Sequence, residues 1–535
     1  MAPLLEKYKG CDVLDLNPGV GLWSSKLHDF LQPRNHVLLE SSFHLYSPYL
    51  QPLLDKPGST YKLIEGDIGN FSTFDKLVEE GVFPHQKPVA AGDPQSQELN
   101  KSLLVTGTLM WDPPVRGFGF DSLAGQILAY MAKSHWANEG IAEFGPVASL
   151  FWAKEADVKY MLPKGMHSFI KSSFLVPRTT DIAEVVTSDH ASRLKKQRVT
   201  DSSGSRLKSR AVWRQTRYEI QSLVQALKRG KENGFELPKH RRENIHDFAD
   251  DIANMTNGTG IISFADFQNY LKKQESLGKS TEGVINSQVY EQMMREKSPE
   301  EFKKTIAQYR ATAKKLEKNR VQIDGIVDLG EAIYHLECEI LAMEDGPDKD
   351  AKLTKLHEME RDFEKRAAKV NSNIRTSVYT ELDDRIALNS PVPRLAWDQR
   401  PFEPLIRRPG EVWPESDVGL YYLTPRPRPA DLSLEDWEYE QDFIHVLFQT
   451  KVSSLPDVLD SIQHGGSAIL DEIPILRDPK KGGRLNLKQL RARMLTLEMV
   501  DALNKAYREW PFRNPEIDRP NYFRFKYRGQ NSKFV

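Results

Sequence analysis

Asp15-Leu16-Asn17-Pro18-Gly19-Val20-Gly21 is the first stretch of this sequence whose residue types could do chemistry. A short apolar run, Cys11 to Leu16, leads into it, and a helical pattern through Trp23, Leu27 and Leu31 leaves it. Glycines at a strand-to-helix turn let the backbone approach a ligand closely, and the first N–H groups of the helix are free to receive it. Ser24 stands where a dinucleotide fingerprint needs its third glycine, so the loop is not of the G-x-G-x-x-G type. Asp15, just before the loop, suits a cationic or amino-bearing ligand. Glu40 ends a second strand-like run, where a carboxylate can hold a ribose diol. Asp67 follows a third run, Tyr61 to Ile64, where it could read an adenine amino group.

Those residues need strand ends to carry them. Leu103 to Val105 and Ala148 to Trp152 read as a fourth and fifth strand, with helices between, as in a parallel sheet with right-handed crossovers. A glycine loop and acids at three successive strand ends is the arrangement a class I S-adenosylmethionine pocket requires. The same residues would arise if the glycines only turned the chain and the acids only capped helices. The expected fold is therefore α/β: a class I S-adenosylmethionine methyltransferase-like, Rossmann-like sheet, with a C-terminal helical domain and a long charged helical insertion.

At 535 residues the chain is too long for one hydrophobic core. Lys plus Arg number 74 against 75 Asp plus Glu, so contacts with nucleic acid must come from local patches. Two cysteines, Cys11 and Cys338, cannot make a zinc cluster or a disulfide framework, which favours a reducing compartment and no metal. No apolar run is long enough to span a bilayer, and Met1 to Gly10 carries no clear presequence.

The character changes at Arg193. Residues 193–242 hold 15 Lys or Arg against 4 Asp or Glu. Within and beyond this stretch, apolar residues recur at helical spacing: Ile220, Leu223, Val224 and Leu227; Phe302, Ile306, Tyr309, Ala313 and Leu316; Ile326, Leu329, Ile333, Leu336 and Ile340; Leu353, Leu356, Met359 and Phe363. Gly346-Pro347 separates the last two sets, as in an antiparallel hairpin. A solvated spacer of helices is the plain expectation, and a salt-sensitive nucleic-acid contact through residues 193–242 is the functional one. Strand-like sequence returns at Val418 to Leu423. Helices are then expected over 437–450, 455–463 and 487–510, the middle one capped by Gly465 and Gly466. The organisation is thus 1–192 sheet domain, 193–395 insertion, 396–430 returning strands, 431–512 helical domain and 513–535 tail.

The tail alternates cations with rings: Arg524, Phe525, Lys526, Tyr527 and Arg528 at its centre, five aromatics and six basic residues in all. Rings that stack on bases and cations that track phosphates suit unpaired nucleic acid. A C-terminal arm docked on its own domain has the same composition.

Several of these stretches resemble a known family. Residues 1–190 are similar to the rRNA adenine N(6)-dimethyltransferases. Outside the insertion, the chain more closely resembles the fungal mitochondrial transcription factor 1 family that descends from them. The matching stretches are Val13 to Gly21, Leu38-Leu39-Glu40, Gly165-Met166-His167-Ser168, Trp437-Glu438-Tyr439, His464-Gly465-Gly466 and Glu509-Trp510-Pro511-Phe512. Carried over, the cofactor positions are Asp15, Gly19, Gly21, Glu40, Asp67 and Leu104. Leu104 would stand where active relatives place an asparagine that holds the target amino group. Asp112-Pro113-Pro114 is followed by Val115 instead of a stacking aromatic. The resemblance therefore implies a vestigial S-adenosylmethionine pocket and no catalytic residue. Its implied partners are the mitochondrial RNA polymerase, promoter DNA in its melted single-stranded form and rRNA, with no membrane; its implied location is the mitochondrial matrix. An initiation factor that helps the polymerase recognise and open promoters is the first expectation. An S-adenosylmethionine-dependent rRNA adenine dimethyltransferase is the alternative.

Overall fold

The computed structural model describes residues 2–90, 93–111, 115–117, 120–187, 214–278, 322–391, 393–408, 410–413 and 416–513. Eight strands form one sheet: β1 (Asp12–Leu16), β2 (Asn35–Leu39), β3 (Tyr61–Ile64), β4 (Asn100–Leu109), β5 (Val147–Lys154), β6 (Thr180–Thr187), β7 (Leu405–Ile406) and β8 (Val418–Pro425). Their spatial order is β3-β2-β1-β4-β5-β8-β6-β7. β1 to β5 run parallel, while β8 lies antiparallel between β5 and β6. One reversed strand slotted inside an otherwise parallel sheet is the class I methyltransferase-like arrangement, with the two-residue β7 added at the edge. β6 is an addition to the five expected strands, while β7 and β8 both fall within the expected 396–430 returning strands.

Every residue of β1 and β2 is buried, as central parallel strands covered on both faces must be. Leu14, Leu16, Val37, Leu39 and Val105 face Phe74, Ile127 and Leu128 of the Ser72–Glu79 and Leu123–Ala137 helices. Val13, Leu104, Ala148 and Leu150 face Leu27 and Leu31 of the Leu22–Leu31 helix on the other side.

The described part of the insertion is not a solvated spacer. Ile220, Leu223 and Val224 of the Thr216–Glu232 helix are buried with Phe248, Ile252, Phe267 and Leu271 from two further helices, a small core of their own. Helix 322–341 and the Pro347–Lys369 helix follow as a hairpin, joined by Lys352 Nζ to Glu339 at 3.0 Å. Both belong, through Ile333, Leu336, Leu356 and Phe363, to the same core as Leu459, Leu476 and Leu503 of the C-terminal helical part.

The Ser372–Asn389 helix is buried almost all round, with Val378, Leu382 and Ile386 beside Asp383, Asp384 and Arg385. Buried charges require partners, and each of these finds one. Asp383 meets Arg491 and Arg493, Arg385 meets Asp328 at 2.5 Å and Glu331 at 2.9 Å, and Asp384 accepts from the Met166 N–H at 2.7 Å. The charge that reads as solvation in the sequence here joins one element to another.

Two local expectations are corrected. Residues 487–510 are not one helix: 3-10 turns at Leu487–Gln489 and Ala492–Met494 precede a helix that spans only Leu497–Glu509. The interruption carries Arg491 and Arg493 to Asp383. The Leu455–Ile462 helix is closed by Gln463, and Gly465 instead opens the 3-10 turn Gly466–Glu472.

Candidate cofactor pocket

The candidate pocket lies at the carboxyl ends of β1 to β4. β1 hands the chain to Asn17 and Gly19, at φ 52° and 58°, and Gly21 precedes the Leu22–Leu31 helix. A side chain on Gly19 would meet nothing within 4 Å, so this side of the loop is open to a ligand. Gly107 of β4 presses so close to β1 that a Cβ there would lie 2.3 Å from the Leu16 carbonyl oxygen. The first turn of the helix is tied across the sheet: Trp23 Nε1 donates to Thr106 Oγ1 at 2.9 Å, and Thr106 Oγ1 donates to the Leu150 carbonyl at 2.8 Å.

Glu40 is brought against the loop. Its Oε2 accepts from the Gly19 N–H at 3.2 Å and its Oε1 from the Ser42 N–H at 2.9 Å. The side chain is buried, so the carboxylate that would bind a ribose diol already holds the glycine loop. Asp67 is exposed at the end of β3, where its Oδ1 accepts from the Gly69 N–H at 2.8 Å. The loop it forms touches the start of the Leu123–Ala137 helix, since a Cβ on Gly69 would lie 3.3 Å from Leu123 Cδ2. Gly19, Glu40 and Asp67 therefore share one edge.

Asp15 and Leu104 do not join them. Asp15 is fully buried on the face of β1 beneath the Leu22–Leu31 helix, its Oδ2 3.5 Å from His36 Nε2. His36 Nδ1 is 3.0 Å from His28 Nδ1, and both rings stack on Tyr61. Burial, then the neighbouring His36, pushes His28 down to about 4. Asp15 is part of this packed cluster.

Leu104 is likewise wholly buried in mid-strand, paired with Val13 and Ala148. Thr106-Gly107-Thr108 reads as a turn, which ends β4 too early on paper. The buried Thr106 hydroxyl and the tight Gly107 contact carry the strand on to Leu109. The segment that faces the pocket therefore begins at Met110-Trp111. Asp112-Pro113-Pro114 lies outside the described residues, and Val115 is 43% exposed.

Gly165-Met166-His167-Ser168, after β5, forms a 3-10 turn at Met166–Ser168. The insertion holds it through the Asp384 bond to Met166. The helical part holds it through Lys451 Nζ, which donates to the His167 carbonyl at 3.3 Å and the Phe169 carbonyl at 2.7 Å. Burial, then Lys451, Arg493 and Arg214, drives His167 down to about 4, so this imidazole is neutral. No sequence pattern points to Asp384, which lies 218 residues further along the chain, in the insertion.

No family model matches the chain. Mitochondrial transcription factor 1 of Saccharomyces cerevisiae is 29% identical over 179 residues, which are 33% of this chain and 47% of that protein. The protein of the same name from Saccharomyces paradoxus is 28% identical over 180 residues, with the same shares. This chain is similar to mitochondrial transcription factor 1. The family resemblance read from the motifs is borne out. The chain spans about half the length of the curated relatives it matches. Among solved structures, a dimethyladenosine transferase from Plasmodium falciparum aligns with 52% of this chain and 98% of its own, at 11% identity and a TM-score of 0.22. At that score it adds nothing to the strand order, which stands on its own.

The other stretches that carry the resemblance are structural. Trp437 packs edge-on against Trp136 of the sheet domain at 4.6 Å between ring centres, and Trp510 packs on Tyr507 at 6.0 Å. Trp437 joins the helical part to the sheet domain, and Trp510 packs back on the end of its own helix. Arg524, Phe525, Lys526, Tyr527 and Arg528 lie outside the described residues. Among the described residues no cluster of His, Cys, Asp and Glu could hold a metal ion, and no helix is long and apolar enough to cross a membrane.

As a cofactor site the edge fits in part. Gly19 is open and Asp67 is exposed, but Glu40 is turned inward and Asp15 and Leu104 are withdrawn.

Proposed function

We propose that this chain is a mitochondrial transcription initiation factor, working in the matrix with the mitochondrial RNA polymerase to recognise and open promoters. The similarity to mitochondrial transcription factor 1 carries this reading. The inward-turned Glu40 supports it, because a scaffold freed from binding S-adenosylmethionine can let that carboxylate stabilise its own loop.

Opening duplex costs ~1.4 kcal/mol of stacking per step, and each aromatic stack on a freed base returns ~1–3 kcal/mol. Two or three capture sites therefore hold a short bubble. The aromatic and basic residues of the tail, Arg524 to Arg528, are assigned that role.

Calorimetry with S-adenosylmethionine tests the reading directly. A factor should show no saturable heat with millimolar cofactor and should stimulate run-off transcription by the polymerase. Micromolar binding, together with transfer of labelled methyl groups to small-subunit rRNA that is abolished by Gly19→Arg, would establish the dimethyltransferase alternative instead.

A further inference from the structure

We propose that the free edge of β6 is a docking site for an extended, acid-bearing peptide segment of a partner protein. The segment would add to the sheet as a further strand and place its carboxylate on Arg394. This assignment does not rest on the role as an initiation factor, and it is tested without nucleic acid, polymerase or cofactor.

β7 covers β6 only at Val186 and Thr187. Beside the rest of that edge lies a cavity of about 770 Å³, lined by β6 from Thr180 to Ala183, by residues between 390 and 402, and by Lys480 and Lys481. The other neighbour of β6 fixes which main-chain groups face this cavity. Thr180 pairs with Pro425 of β8, and the Arg426 N–H donates to the Thr179 carbonyl at 2.7 Å. In an antiparallel ladder that makes Thr180 and Pro425 a non-hydrogen-bonded pair. Asp181 and Ala183 therefore turn their main-chain groups to β8, and Ile182 turns its N–H and C=O to the open edge. Among the described residues neither group of Ile182 has a partner.

A free N–H and C=O on a sheet edge is a template for one more strand. The facing wall cannot supply it, because it carries Pro391, Pro393 and Pro401, and proline has no N–H to give to a ladder. The side walls suit a strand as well. Phe169 and Phe174 belong to the core on one face of the sheet, and Phe402 and Tyr422 to the core on the other. An extended chain sends successive side chains to opposite faces, so both walls would be used. The hydroxyls of the cavity are already engaged: Thr180 and Ser173 donate to the carbonyls of Ala132 and Tyr160 at 2.8 and 2.5 Å. Recognition therefore falls to the main chain, the apolar walls and charge.

Arg394 supplies the charge. Its Nη2 donates to the Lys481 carbonyl at 3.2 Å, its Nε is buried without a partner, and Nη1 is bonded to none of the described residues. Burial pushes this guanidinium down to about 10, and only Tyr334 works against it. The other cations of the cavity are matched by acids. Arg400 meets Glu403 at 2.8 Å, Arg493 meets Asp383 at 2.6 Å, Arg426 meets Asp181 at 2.5 Å and Lys481 meets Glu498 at 3.7 Å. Lys480, exposed at the same cavity, has no acid among the described residues. A desolvated guanidinium without a counter-ion favours an incoming carboxylate, which its planar fork fits.

Short random peptides would be selected by mRNA display against the full chain, and the enriched ones measured by fluorescence anisotropy. They should be rich in β-branched residues, carry an acid and lack proline in the paired stretch. Ile182→Pro removes a donor that has no partner in the folded chain, at an edge where proline is tolerated. It should weaken binding about 5- to 150-fold, the cost of a peptide carbonyl left unpaired, while Ile182→Val should leave binding unchanged. Arg394→Gln should weaken the acidic peptides about 10- to 150-fold and flatten the dependence of binding on KCl. Circular dichroism melts matching the unmodified chain would show that each variant is folded. N-methylation of the peptide at alternate residues repeats the test with the protein unaltered. One phase should abolish binding and the other spare it, because only every second N–H of an added strand faces β6. A selection that enriches nothing, binding indifferent to Ile182→Pro in a folded chain, or equal effects of the two methylation phases overturns the proposal. So does binding whose strength and salt dependence are untouched by Arg394→Gln.

Discussion

Replacing Asp383 by alanine should destabilise the whole helical half of the molecule, because the insertion and the C-terminal domain share its charge. Asp383 is fully buried and accepts from Arg491 Nε at 2.8 Å on each oxygen, from Arg491 Nη2, and from Arg493 Nε at 2.6 Å. Both arginines are themselves buried, so the substitution strands two guanidinium groups in the core. Removing one partner of a buried ion pair costs about 3–5 kcal/mol. For a folding unit of about 150–250 residues, that corresponds to a fall of roughly 6–20 °C in the unfolding midpoint.

The pH dependence has a definite sign. Burial pushes the Asp383 carboxyl up, but Arg491 and then Arg493 outweigh it and hold the group below its usual range. Its contribution is therefore complete above the unfolded value of about 3.9 and is lost as pH falls through the folded value. Thermal and urea melts followed by circular dichroism would read both effects. Asp345→Ala, which removes an exposed pair with Lys349 at 2.6 Å, is the control and should leave the midpoint where it is. The combined change Asp383→Leu, Arg491→Met and Arg493→Met should recover most of the loss, since an apolar cluster leaves no charge behind. If Asp383→Ala melted with Asp345→Ala, the insertion would not be part of the core, and the reasoning from these buried pairs would fail.

Three further outcomes are expected. Burial raises Asp384 to about 7 from 3.8, with Arg214 pulling the other way, so between those values the folded state holds a proton that the unfolded state does not. Stability should then fall as pH rises through that window and level off above it, whereas Asp384→Asn, which keeps an acceptor for the Met166 N–H, should give a flatter profile in melts at about pH 5 to about 8. Changing Lys195, Lys196, Arg198, Arg206, Lys208 and Arg210 to glutamine should reduce duplex affinity and lower the salt slope by ~0.9 for every phosphate no longer neutralised; an unchanged slope in anisotropy titrations would return this segment to a spacer. Truncation after Arg513 should spare folding and polymerase binding. It should weaken opening of duplex promoters, read by 2-aminopurine fluorescence at the start site, far more than transcription from templates already mismatched there; equal losses on both would make the tail a structural arm.

How far the sequence reveals this molecule follows from the range over which each feature is determined. β1, β2, β3 and the Gly19 loop are legible because their information is local: an apolar run, a glycine turn and an acid within a dozen residues. β4 reads too short because Thr106 and Gly107 look like turn residues. Only the pairing with Leu16 and Leu150 shows that they continue the strand. The pocket-facing position thereby moves from Leu104 to the segment after Leu109. The acids of the pocket show the same limit. Residue type places a carboxylate at a strand end, but the pleat decides whether it faces the ligand or the packed side. Asp15 falls on the His36 side, and Glu40 is turned onto the Gly19 loop.

The insertion misleads for a related reason. Its charge density is that of a solvated helix, and periodicity cannot tell a carboxylate in water from one whose partners lie 100 or more residues away. Asp383 reaches Arg491 and Arg493, Glu337 reaches Arg484 at 2.6 Å, and Asp384 reaches Met166. These pairs lock together the insertion, the helical part and the turn after β5. Each carboxylate lies in a different part of the chain from its partner, so none of them reads as buried until the fold brings the arginine or the N–H to it, and the same pairing that hides them from a sequence reading is what joins the three parts.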